Sequence, residues 1–97
     1  MKTDIIKEIK IDGSGRLCIF PEKEKFTQIY RLAVEVHWDN EKLFLYSPKP
    51  REWSYLDWYN HITSLVRIDY GIDLLLTANT TWINIPSTLK EEIIAMS

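Results

Sequence analysis

Glu35, His37 and Asp39 alternate along one stretch of this chain. On a β-strand the three side chains would share a face at about 7 Å intervals, within reach of one cation. A metal site needs three or four ligands held by a second shell of hydrogen bonds. The one other histidine, His61, falls in a segment of helical spacing expected to pack on the opposite side. A solvated polar strand face is therefore the first reading. A metal-binding domain or metal-dependent enzyme built on Glu35, His37 and Asp39 stands as an alternative, and no cofactor is implied.

Asp57, His61 and Ser64 form a second constellation at intervals of four and three. This spacing suits a hydrogen bond on one helical face and has the residue types of a nucleophilic triad. A triad also needs a nucleophile on special backbone beside free N–H donors. Mid-helix N–H groups are already bonded, so the expected role is a polar helix stripe. No catalytic residue is assigned. The turn Asp12–Gly15 has no helix behind it, which removes a phosphate-cradling loop.

The third constellation is a recognition surface. Pro48 and Pro50 flank Lys49 and precede Arg51, Glu52 and Trp53, in a region that also holds Tyr46, Tyr55, Trp58 and Tyr59. Trp, Tyr and Arg dominate interface hot spots, and proline lowers the ordering cost of binding. Trp58, Tyr59 and Tyr55 are needed by the core. Lys49, Arg51, Glu52 and Trp53 are therefore the loop candidates for partner contact, with Arg31, Glu35 and His37 added from the polar face of the strand.

The elements that must position these groups follow from periodicity. Gln28–Trp38 alternates, with Tyr30, Leu32, Val34, Val36 and Trp38 on one face and Arg31, Glu35 and His37 on the other, which reads as a half-buried antiparallel strand. Leu43–Tyr46 should pair with it. Ile5, Ile9 and Ile11 share a face and should meet Leu17 and Ile19 across the Asp12–Gly15 turn. Tyr55, Trp58, Tyr59, Ile62, Leu65 and Val66 make a helical stripe over about 54–70, opened by Ser54 with Asp57 in its first turn and closed by Gly71. A hairpin, Asp73–Thr77 and Thr81–Ile85, comes next. A last helix begins near Ser87, with Thr88 and Glu91 spaced as a capping box. The order ββββαββα predicts an α+β domain over 1–97, an antiparallel sheet of about six strands in hairpins with two helices on one face. The helices should cover the Tyr30/Leu32/Val34/Val36/Trp38 side and leave Arg31, Glu35 and His37 open.

Composition narrows the function classes. A chain of 97 residues supports one core. The net charge of −2, with no basic cluster beyond Lys23, Lys25 and the Lys49/Arg51 pair, argues against nucleic acid. No segment has the length of a membrane span or the form of a leader, so the cytoplasm is expected. The single cysteine, Cys18, sits in the apolar run Leu17–Phe20 and should be a buried, unreactive thiol.

Three features occur together: the strand Glu35-Val36-His37-Trp38-Asp39, a proline loop into the tryptophan-opened helix Arg51-Glu52-Trp53 through Ile62, and a short hairpin after it. Over roughly residues 5–85 this layout resembles the small single-domain immunity proteins that bacteria encode beside polymorphic toxins. The resemblance implies a non-enzymatic protein that binds a cognate toxin domain and blocks its active site; it assigns no residue a role. The expectation is a protein-binding domain, with a homodimer or structural oligomer as a further alternative.

Overall fold

The computed structural model describes Met1–Ser97 as eight regular elements in the order ββββαββα. Strand β1, Lys2–Ile11, pairs antiparallel with β2, Leu17–Pro21, through Ile9↔Ile19 and Ile11↔Leu17. The register slips between Ile6 and Glu8, opposite Pro21. A proline has no N–H to give the ladder, and a strand that meets one ends or bulges. The slip changes which isoleucine faces inward. Ile6, not Ile5, joins Ile9 in complete burial, while Ile5 stays 37% exposed.

The largest departure from the sequence reading lies in Gln28–Trp38. Ile29–Arg31 forms a 3-10 turn, and only His37–Asp39 (β3) is strand. β3 pairs antiparallel with β4, Phe44–Tyr46, which in turn pairs with β2. An eleven-residue strand needs a partner of matching length, and three-residue β4 offers none. Ile29 and Val36 are buried, but Tyr30, Leu32 and Val34 point outward; the helices do not cover them.

Helix α1, Tyr55–Leu65, begins as expected. Ser54 Oγ accepts from the Asp57 N–H at 3.1 Å, and Asp57 Oδ2 accepts from the Ser54 N–H at 3.0 Å. Such a reciprocal cap contributes about 1 kcal/mol. The helix widens into a π-helical turn, Val66–Tyr70, and stops at Gly71, whose φ of 67° is left-handed. Trp58, Tyr59, Ile62 and Val66 are buried from this stripe, each side chain worth about 1.5–3 kcal/mol.

Strands β5, Ile72–Leu75, and β6, Thr81–Ile83, are not a hairpin. Both run parallel to β1, β5 along Lys2–Ile5 and β6 along Glu8–Lys10, so they lie end to end on one edge. The sheet is therefore mixed, ordered β3-β4-β2-β1-β5 with β6 also on β1. Between the two parallel strands the Thr80 hydroxyl donates to the Ile6 carbonyl at 2.7 Å, filling a rung that neither strand reaches.

Helix α2, Ser87–Met96, starts after Pro86 without a side-chain cap, so Thr88 and Glu91 do not form the expected box. Leu89 and Ile93 of α2 join the α1 stripe and Ile6, Ile9, Ile19 and Leu45 in one core of 17 residues. Both helices thus pack on one side of the sheet. The far side carries Cys18, Phe20, Phe44, Tyr46 and His37, in the alternation opposite to the core residues.

Candidate functional site

The seven candidate contact residues divide among three places. Glu35, Lys49, Arg51, Glu52 and Trp53 line one groove of about 630 Å³. His37 is exposed on the far side of the sheet, stacked on Tyr46 with ring centroids 5.2 Å apart. Arg31 is exposed on the 3-10 turn and does not line the groove.

Two connecting segments and one helix build the groove. The segment 32–35 forms one wall, Pro48–Trp53 the other, and Trp58, His61 and Leu65 of α1 the floor. Positions 58, 61 and 65 fall on one helical stripe, so α1 presents all three to the same side. Trp53 lies against Trp58 at 4.8 Å between centroids, and the His61 ring meets both edge-on, at 5.1 Å from Trp53 and 5.8 Å from Trp58. Trp58 is buried, whereas Trp53 keeps 45% of its surface exposed. The pair gives a rigid apolar ledge with one tryptophan free to meet a partner.

A single ion pair crosses the opening. Arg51 Nη2 donates to Glu35 Oε1 at 3.0 Å, joining the two walls. Glu35 has φ of 67°, a left-handed conformation that costs a non-glycine residue about 1–2 kcal/mol. The turn at Glu35 sends its side chain toward Arg51 and leaves Val34 projecting, 85% exposed. Arg51 uses one N–H of its guanidinium on Glu35, and an arginine fork can hold a second acceptor.

Glu35, His37 and Asp39 do not converge. Glu35 belongs to the groove and His37 to the far sheet face. Asp39 Oδ1 accepts from the Glu41 and Lys42 N–H groups, both at 2.9 Å, and these donors hold its carboxyl below the usual range. The structure contains no group of three or more His, Cys, Asp or Glu side chains placed to hold a metal ion. Asp57, His61 and Ser64 also separate: Asp57 is engaged in the α1 cap, His61 in the tryptophan cluster, and Ser64 lines a different depression.

On the far face, Arg16 grips Asp12 through Nε and Nη2, both at 2.7 Å, and lies 4.4 Å over the Tyr46 ring. Burial alone would raise the Asp12 carboxyl, but N–H donors from Arg16 and Ser14 outweigh it and lower the value. Cys18 is fully buried beneath this cluster. Burial, with the Asp12 charge beside it, pushes the thiol up to about 12, the condition of an unreactive cysteine.

Trp58, His61 and Leu65 were not among the sequence-derived contact residues, although the i, i+3, i+7 spacing that places them together is visible in the chain. Glu35 was included as part of a strand face and lines the groove as a left-handed loop residue.

Comparison with known proteins gives two findings. The family described as integron cassette protein Hfx_Cass5 matches residues 4–80. A solved structure from the mobile metagenome of the North West Arm Sewage Outfall, an integron cassette protein Hfx_Cass5, is 40% identical, covering 98% of this chain and 95% of its own, with a TM-score of 0.51. No curated protein matches.

Proposed function

Given that the chain belongs to the integron cassette protein family Hfx_Cass5, we propose that it is a non-enzymatic protein-binding domain whose groove receives a protein partner. The observation that carries this is the exposed Trp53 on a buried Trp58 ledge, with Arg51 crossing the same opening. A half-exposed tryptophan backed by a buried one loses little freedom on binding and offers a large apolar contact. Lys49, Glu52 and the Glu35–Arg51 pair surround it as a polar rim, the usual anatomy of a protein interface.

The partner we assign is a toxin domain, from the sequence resemblance to immunity proteins. Of its three features the proline loop into the tryptophan-opened helix stands in the fold, while the strand is confined to His37–Asp39 and the hairpin is replaced by two strands parallel to β1. Neutralising such a domain needs tight occlusion of its active site and no chemistry from the protein that covers it. No helix is long and apolar enough to cross a membrane. A cytoplasmic location is part of the proposal, because the immunity proteins it resembles protect the cell that makes them.

The test compares wild type with an Arg51→Ala/Trp53→Ala variant. A partner captured by the wild type is purified and titrated against both proteins by calorimetry. Hot-spot losses of about 2 kcal/mol or more predict at least about 30-fold weaker binding to the variant. Equal affinities would place the interface elsewhere. The toxin assignment is tested by expressing the captured partner alone: growth arrest relieved by wild type and not by the variant supports it, and harmless expression refutes it.

A further inference from the structure

Beside the groove the same patch carries its own plug. Val34 is the most exposed large apolar side chain in the protein, and Leu32, two residues before it, is 49% exposed. Both also line the groove wall, so ridge and cavity adjoin. A two-fold interface uses one patch against itself and needs a protrusion beside a matching depression.

Charge selects the same occupant. The rim holds two bases, Lys49 and Arg51, and two acids, Glu35 and Glu52. A patch of one sign would repel its own copy. A balanced rim meets itself without net repulsion and lets a base of one copy face an acid of the other, although the whole chain carries −2. A standard interface covers about 800 Å² on each partner, roughly a seventh of this protein's 5915 Å² surface.

We infer that the free protein is a two-fold dimer in which each copy inserts its Leu32–Val34 ridge into the groove of the other. The inference rests on the groove being a protein-docking surface and adds that a second copy fills it until another partner competes. The dimer is of micromolar affinity, because the ridge is short and the rim polar.

Sedimentation velocity on the full chain from about 5 to about 500 µM tests it. Wild type should pass from monomer to dimer across this range. Val34→Asp places a carboxylate against the partner's tryptophan ledge and should weaken the dimer at least tenfold. Because Val34 is solvent-exposed, the fold should survive, and far-UV circular dichroism checks this. Leu75→Asp, at an exposed residue of β5 that lines a different depression and not the groove, should leave the dimer intact. A monomer at every concentration overturns the inference, as does a dimer dispersed by Leu75→Asp and untouched by Val34→Asp. Neither outcome bears on the calorimetric comparison above, which fails only if Arg51→Ala/Trp53→Ala binds the captured partner as wild type does.

Discussion

Replacing Thr80 with valine should damage the fold more than its nearly unchanged shape suggests. The Thr80 hydroxyl is 7% exposed in its residue and donates at 2.7 Å to the carbonyl of fully buried Ile6. It also accepts from the Thr77 N–H at 3.0 Å. Ile6 pairs across β2 with Pro21, which has no N–H, and it falls between the ends of β5 and β6. Thr80→Val deprives this buried carbonyl of its donor, a cost of about 1–3 kcal/mol. Thr77 is exposed and can turn its N–H to water, adding about 0.5 kcal/mol at most. The new methyl offsets about 0.8 kcal/mol. The net loss is about 0.2–2.7 kcal/mol. At about 4–8 °C per kcal/mol for a domain of this size, a 2 kcal/mol loss lowers the melting temperature by about 8–16 °C. Urea denaturation should show the midpoint falling with the slope unchanged. Thr80→Ser keeps the hydroxyl and should recover most of the difference. A valine variant as stable as wild type, or a serine variant as weak as valine, would refute this account of the β1 edge.

Other perturbations have opposite signs at neighbouring atoms. Glu35→Gly removes an exposed ion pair worth at most about 1 kcal/mol but relieves left-handed strain of similar size; Glu35→Ala loses the pair and keeps the strain, so glycine should be about 1 kcal/mol the more stable by urea titration. Asp4 is buried and accepts from the N–H groups of Lys23 and Glu24 through Oδ2 and of Ile5 through Oδ1; Asp4→Asn sets an amide against those donors and should cost about 1.5–3 kcal/mol, with an isostable variant counting against it. Cys18 bears on pH. Its folded value lies above the ordinary 9.0, so the thiol contributes stability that is complete below about 9 and is lost as pH climbs toward about 12. Urea midpoints should therefore fall more steeply with alkaline pH in wild type than in Cys18→Ala, and identical slopes would remove the argument.

Local chemistry was legible where it acted locally. Ser54, Asp57 and Gly71 mark the limits of the long helix because capping is settled within four residues. The Asp12–Gly15 hairpin was readable for the same reason. Gln28–Trp38 misled because alternation is only half of what a strand requires; the other half is a partner, and Phe44–Tyr46 is too short to supply one. Ile5 was placed inside and Ile6 is there, since a bulge at Lys7 depends on Pro21 across the sheet. The parallel seating of β5 and β6 is set by β1, some seventy positions away, and no turn chemistry at Thr77–Thr80 records it. In the groove, Arg51 and Trp53 stood out by residue type. Glu35 depended on a left-handed turn, and His61 on a tryptophan neighbour that belongs to the core.

That β1 lies between β2 and the β5–β6 pair has a consequence for biosynthesis. One flank is covered as soon as residue 21 has been made, but the other stays bare until residues 72–83 emerge. At about 5–20 residues per second, the interval between Ile11 and Ile83 lasts roughly 4–14 s. During it a nascent hairpin offers an uncovered row of backbone donors and acceptors, with Ile6 and Ile9 beside them. Interruption of the chain before Thr81 should therefore yield insoluble product rather than a smaller folded one.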